Sequence, residues 1–176
     1  MRHGRDVTAF TEFVEVRSSS LFRTAYLMVG DHQLAQDLLQ EALVKTLLAW
    51  PRLRDHATVE AYTRRIIVTT SISWRRRRSF HERPSDALPE AAGPDPVDAL
   101  VTHDEVLVAL ATLPARQRAA VVLRYYEDLT EAQTAESMGC SVGTVKSQVA
   151  AGLKKLRSSM DQAFDEVAAG DREATT

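Results

Sequence analysis

The sequence predicts an all-α protein built as two small helical domains joined by an extended acidic linker, and three observations carry that expectation. Apolar residues recur at three- and four-residue spacing in both halves. No period-two alternation or Asn-Gly hairpin signal interrupts them. Near the middle, Pro84, Pro89, Pro94 and Pro96, with Gly93 among them, break any helix and leave 84–97 without apolar periodicity. The expected division is therefore a first domain at 1–83, a linker at 84–99, a second domain at 100–167 and a disordered, small and polar tail at 168–176.

Each element has its own signal. Phe10, Phe13, Val14, Leu21, Phe22, Ala25, Tyr26 and Met28 predict two helices ending at Gly30. Leu34, Leu38, Leu39, Ala42, Leu43, Thr46 and Trp50 predict a helix over 31–50, with Asp31 as its N-cap and Pro51 as its stop. Residues 59–80 read as another, with Tyr62, Ile66, Thr70 and Trp74 on one side. In the second half Thr130 and Gln133 form a capping-box pattern, Gly139 supplies a left-handed stop and Ser141 caps a following helix over 142–156. Short helix, three-residue turn and second helix together make a helix-turn-helix.

Composition narrows the function. The chain of 176 residues is 44% hydrophobic and 26% charged, as a soluble globular protein is. No run approaches the roughly 18 apolar residues needed to cross a bilayer, and no signal-peptide stretch follows Arg5, so no membrane partner and a cytoplasmic location are expected. Cys140 is the only cysteine, which excludes an intramolecular disulfide and a multi-thiolate metal site. His3, His32, His56, His81 and His103 are scattered without metal-ligand spacing. With no phosphate loop or nucleophile constellation either, neither an enzyme nor a cofactor is expected.

The net charge of −2 conceals a segregation. Positions 64–83 hold seven arginines and one acid, whereas 84–105 hold six acids and no Lys or Arg. A cationic surface thus adjoins an anionic strand. In the cationic part Trp74-Arg75-Arg76-Arg77-Arg78 ends the helix that carries Arg64, Arg65, Thr69, Thr70 and Ser73. Adjacent arginines point several ways around a helix, so a polyanion suits them better than one salt bridge, and a neighbouring tryptophan can stack on an exposed base. Trp74 as plain core is an equal reading, and a solvated arginine end near the helix dipole a weaker one.

Two further surfaces stand out. On the helix over 142–156, Val145, Val149 and Leu156 share one face, opposite Gly143, Ser147, Ala150 and Lys154, flanked by Thr144, Lys146, Gln148, Ala151 and Lys155. A merely solvated face would favour Glu, Lys and Arg, whereas small residues permit close approach to a major groove. On the helix over 31–50, Asp37, Gln40, Glu41, Val44 and Leu48 form a stripe mixing acids with aliphatics, as on a partner-binding surface.

Together these motifs resemble the extracytoplasmic-function (ECF, group 4) sigma factors of bacterial RNA polymerase, the smallest type, which hold only sigma regions 2 and 4. The resemblance spans nearly the whole chain. Asp37-Leu38-Leu39-Gln40-Glu41 is similar to the family's E-D-L-x-Q-E core-binding helix, and Arg64-Arg65-Ile66-Ile67 onward to Arg78 is similar to its promoter-melting helix. Leu113-Pro114-Ala115-Arg116-Gln117-Arg118-Ala119 followed by Gly143-Thr144-Val145-Lys146-Ser147 completes the set, and Ser73-Trp74-Arg75-Arg76-Arg77 with Glu82-Arg83-Pro84 resembles an actinobacterial, SigE-like branch.

The resemblance implies promoter-specific initiation. Asp37, Gln40, Glu41, Val44 and Leu48 would dock on the polymerase clamp, and the helix around 121–126 on its flap. Arg64, Arg65, Thr69, Ser73, Trp74, Arg75, Arg76, Arg77 and Arg78 would hold single-stranded −10 DNA. Ser141, Thr144, Lys146, Ser147, Gln148, Lys154 and Lys155 would read the −35 duplex. The acidic linker, with Asp86, Glu90, Asp95 and Asp98, would thread a channel prepared for nucleic acid, and an anti-sigma factor is a further candidate partner. Two departures bear on specificity: Thr69 and Ser73 stand where the family commonly has Asn and Asp, and Ala151 where it usually has Arg. The competing reading is a LuxR-like helix-turn-helix regulator binding operator DNA, which leaves the arginine helix and the Asp37 stripe unexplained.

Overall fold

The computed structural model describes residues 2–53, 55–81 and 103–173, so the linker at 84–99 lies outside the described residues. Seven α-helices fill them, with no strand among the described residues. The expected all-α class holds.

Helix α1 (Arg2–Val29) is one continuous helix where two were expected. Nothing between Val14 and Leu21 forces a break, because the serine run is satisfied internally: the Ser20 hydroxyl donates to the Arg17 carbonyl at 3.0 Å. Gly30 ends α1 in the left-handed conformation, φ +76°. Asp31 then accepts from the Leu34 amide at 2.7 Å and starts α2 (His32–Ala49), which runs into a 3₁₀ turn (Trp50–Arg52) at Pro51. Trp50 packs edge-on to Phe10, ring centroids 5.2 Å apart, and ties α2 back to α1.

Helix α3 (His56–His81) begins three residues earlier than the apolar pattern suggested, because Asp55 accepts from the Thr58 amide at 2.7 Å. It closes a three-helix bundle around Leu21, Ala25, Leu38, Ala42, Ile67 and Val68. Inside this core the Thr46 and Thr63 hydroxyls lie 2.9 Å apart, each also 2.8 Å from the carbonyl four residues back. Each hydroxyl has a carbonyl to donate to and the other hydroxyl as an alternative, so neither oxygen is left without a partner.

The second bundle comprises α4 (His103–Ala111), α5 (Ala115–Val121), α6 (Glu131–Met138) and α7 (Val142–Glu173). Helix α7 continues past position 168, where a disordered tail was expected, and 174–176 lie outside the described residues. Between α5 and α6 the helix widens into a π turn (Val122–Tyr126), and Asp128 at φ +50° reverses the chain. The Glu127 amide donates to the Val122 carbonyl at 3.1 Å, which fixes Glu127 at the rim of this turn.

The sequence did not foresee that the two bundles pack on each other. Helix α3 lies against α5 and α6, while α1 touches α5 and the π turn. One hydrophobic cluster runs through both halves. Arg118 of α5 is buried at the junction, 1% exposed, and its Nε donates to the Leu27 carbonyl at the C-terminal end of α1. Burial, and next the charge of Arg75, lower its guanidinium to about 9, which leaves it charged at neutral pH.

Candidate nucleic-acid and polymerase interfaces

The helix-turn-helix is built as the residues predict. Thr130 accepts from the Gln133 amide at 3.2 Å, while Gln133 accepts from the Thr130 amide at 2.9 Å. Gly139 takes φ +63° and stops α6. Ser141 accepts from the Thr144 amide at 3.1 Å, and the two hydroxyls lie 2.9 Å apart. Ser141 and Thr144 thus spend their hydroxyls on starting α7, which orients the helix behind them.

The inner face of α7 carries Val145, wholly buried, and Gly152. A Cβ on Gly152 would stand 2.8 Å from a methyl of Val121, so glycine sets how closely α7 approaches α5. Opposite, Gly143, Ser147, Ala150 and Lys154 are all exposed, as are Lys146 and Lys155, while Gln148 is half-buried. Lys146 reaches Glu131 at 3.5 Å in a pair open to solvent, where ion pairs contribute little. The Ser147 hydroxyl donates to the Thr144 carbonyl at 2.9 Å. The exposed face is shallow, polar and edged with cations.

Helix α3 distributes its residues less simply. Arg65 is exposed beside Gly139, and Thr69 is exposed with its hydroxyl turned back to the Arg65 carbonyl at 2.8 Å. Ser73 is half-buried, and half-buried Trp74 packs against the core. Arg75 donates to the Leu113 carbonyl at 3.3 Å. The side chains of Arg76, Arg77 and Arg78 lie outside the described residues, although α3 runs through all three. Arg64 departs from the expected pattern: its side chain is 12% exposed, pairing with Glu60 at 2.8 Å and with Glu127 of the second bundle at 2.9 Å. The fold does not present it to an external polyanion.

On α2, Asp37, Gln40, Val44 and Leu48 are exposed and Glu41 is half-buried, paired with Lys45 at 2.6 Å. Beside them opens an apolar groove lined by Phe10, Leu39, Leu43, Val44 and Leu47 with Gln36 and Gln40. Gln40 and Val44 of the predicted stripe thus line a groove that the sequence reading did not foresee. The available signal was the width of the apolar arc, since Leu38, Leu39, Leu43, Val44, Leu47 and Leu48 cover more of the helix than one core-facing stripe needs. A second exposed cluster, Tyr125 and Tyr126, stands on the π turn. Among the described residues no group of three or more His, Cys, Asp or Glu side chains is arranged to hold a metal ion, and no helix is long and apolar enough to cross a membrane.

Comparison with known proteins agrees with this architecture. Residues 13–81 match the family described as Sigma-70 region 2, and residues 103–156 match Sigma-70, region 4. The chain belongs to the sigma-70 family of RNA polymerase sigma factors, proteins that direct transcription initiation. It is 36% identical to the RNA polymerase sigma-E factor of Streptomyces avermitilis over 98% of this chain and 96% of that one. It is also 36% identical to the factor of the same name from Streptomyces coelicolor, covering 88% of each chain. These relatives place it in the SigE-like actinobacterial branch of the ECF group, and the region 2 match sets aside the LuxR-like alternative.

Among solved structures, the sigma factor RpoE in complex with the anti-sigma factor NepR from Bartonella quintana shares the fold at TM-score 0.71 and 23% identity. It covers 87% of this chain and 97% of its own. CnrH in complex with the cytosolic domain of CnrY matches at TM-score 0.63 and 19% identity, over 88% and 89%.

Proposed function

We propose that the three surfaces divide the work of initiation as follows. The α2 groove, with Asp37, Gln40, Glu41, Val44 and Leu48 along it, docks on the polymerase clamp, burying aliphatic area while the acids meet basic side chains. Helix α3, through Arg65, Thr69, Ser73, Trp74 and Arg75 to Arg78, holds the non-template −10 strand. Each opened base-pair step costs about 1.4 kcal/mol of stacking, which strand capture must offset. The exposed face of α7 enters the −35 major groove, where each good base contact contributes roughly 1–3 kcal/mol. The exposed Tyr125 and Tyr126 surface meets the flap.

The observation that carries this reading is the face of α7. Both helices of the motif are capped, Gly152 seats the inner side, and Gly143, Ser147 and Ala150 leave the outer side nearly flat between lysines. A flat cationic surface lets the backbone approach a groove floor.

The unit boundaries near 83 and 100, the threading of the acidic linker through the nucleic-acid channel, a cytoplasmic location and the lack of any reaction of its own belong to the same proposal. So does an anti-sigma partner, supported by the solved relative held by NepR. The test is in vitro transcription with purified core polymerase on a genomic promoter library, with start sites mapped. A chain that neither co-elutes with core nor confers site-selective starts is not acting this way.

A further inference from the structure

Lys146 is the cation placed where a recognition helix meets bases, and an acid from the preceding helix holds it. Its Nζ lies 3.5 Å from Oε2 of Glu131, the first residue of α6, with side chains 63% and 43% exposed. Lys154 and Lys155, also exposed, begin about 12 Å further along α7 at ~1.5 Å per residue, and neither pairs with a described side chain. Of the lysines on this face, one is tethered and two are free.

The tether falls on the lysine best placed to read sequence. In a helix-turn-helix the N-terminal residues of the second helix contact base edges, while the first helix crosses the sugar-phosphate backbone. Within 142–148, Val145 is buried, the Thr144 hydroxyl is engaged with Ser141, and the Ser147 hydroxyl donates to the Thr144 carbonyl. Lys146 is the one cation of that stretch. Untethered, a flexible ammonium settles as a point charge on the nearest phosphate, a contact that carries no sequence information.

Glu131 is otherwise out of place. A carboxylate on the helix that crosses a polyanion is repelled by it. The dipole of α6 favours an acid in the first turn, yet the cap does not use this one, since Thr130 and Gln133 serve each other. In water the pair adds little to the stability of the fold. Between protein and groove, where water is excluded and screening falls, the same attraction strengthens. Its effect therefore belongs to the DNA complex.

We propose that Glu131 is a specificity-determining positioning residue for the −35 element: it holds the Lys146 ammonium over base edges in the major groove and keeps it off the phosphates. This rests on the assignment of α7 to the −35 duplex given above. Lys146 then addresses the paired acceptors O6 and N7 of a guanine, and Lys154 and Lys155 supply the sequence-blind phosphate contacts.

The test uses the full chain bound to core polymerase, in equilibrium competition between promoter duplexes that carry a mapped −35 sequence or single base-pair replacements within it. Glu131→Gln keeps the side-chain length and the cap of α6 while removing the charge. It should cut discrimination at one guanine position about tenfold and raise affinity for the replaced duplexes. It should also steepen the slope of log affinity against log salt by about 0.9, the value of one added phosphate contact. Lys146→Ala should lose the same discrimination without the steeper slope, and Glu131→Gln added to it should remove nothing further. An equal gain on every duplex, with the discrimination intact, would make Glu131 a plain repulsive charge and overturn the proposal. No change in either readout would overturn it too. So would discrimination lost in Glu131→Gln and kept in Lys146→Ala, because the carboxylate would then be reading a base by itself. A parent with no −35 preference at all would remove the promoter-reading assignment, and this inference with it.

Discussion

Gly30 and Arg118 meet where the two halves touch: a Cβ on Gly30 would stand 3.2 Å from Nη2 of Arg118. The glycine has two reasons to be there, its φ of +76° and the space it leaves for a buried guanidinium. Gly30→Ala should cost about 1–3 kcal/mol in urea unfolding, from left-handed strain and crowding together. Combined with Arg118→Ala, the loss should be less than the sum, because the crowding part disappears. Strict additivity would show that the two residues do not share a site.

Gly152→Ala tests the approach of α7 to α5. Alanine favours a helix over glycine by about 1 kcal/mol, yet here its methyl would overlap Val121 at 2.8 Å. Overpacking should win, with a net loss of about 1–2 kcal/mol in thermal unfolding. Adding Val121→Ala should recover part of it by making room.

The Thr46 and Thr63 pair predicts a small penalty. Thr63→Val removes one partner from Thr46, which keeps the Ala42 carbonyl at 2.8 Å, so about 1 kcal/mol is expected. The double valine variant should cost little more than either single one, since no buried hydroxyl then lacks a partner. Denaturant midpoints of the three variants decide this.

Leu47 and Leu48 separate the groove from the stripe. Leu47 lines the groove and Leu48 stands outside it, 77% exposed. Leu47→Glu should weaken core-polymerase binding by about 2 kcal/mol or more, near thirtyfold, as an interface anchor does. Leu48→Glu should lower it less, and equal losses in a pull-down titration would restore the original stripe.

On α7, Lys154→Ala with Lys155→Ala should weaken −35 duplex binding for all sequences alike and reduce the slope of log affinity against log salt by about 0.9 per lost phosphate contact. Base preference should be untouched. Ala151→Arg should act oppositely, steepening the salt dependence by one contact of the same size. Fluorescence anisotropy across a salt series measures both.

Local signals were legible wherever one residue type has one job. Asp31, Thr130 with Gln133, Gly139 and Ser141 all cap or stop the helices they were expected to. The outer face of α7 emerged because burial of Val145 fixes the opposite side. The merged α1 was missed because serines satisfied within a helix look, in sequence, like a break. The junction between the two bundles was not legible for a deeper reason. Glu127 reads as one acid in Tyr126-Glu127-Asp128, and its partners stand 63 and 103 positions away. No local period encodes such a meeting. Arg64 was likewise assigned by composition to an arginine cluster, while geometry turned it inward. The α2 groove lay between the two: Phe10, Leu39, Gln40, Leu43 and Val44 were named, but not the groove they line with Gln36 and Leu47.

The widened stretch at Val122–Tyr126 is what aims Glu127. Successive residues of a helix are rotated by about 100°, so dropping a single codon there would swing the carboxylate off Arg64 and Thr24 while the residues of α3 and α7 kept their identity. A one-residue gain or loss there would accordingly break the Glu127 junction between the bundles while leaving the caps that start α6 and α7 as they are.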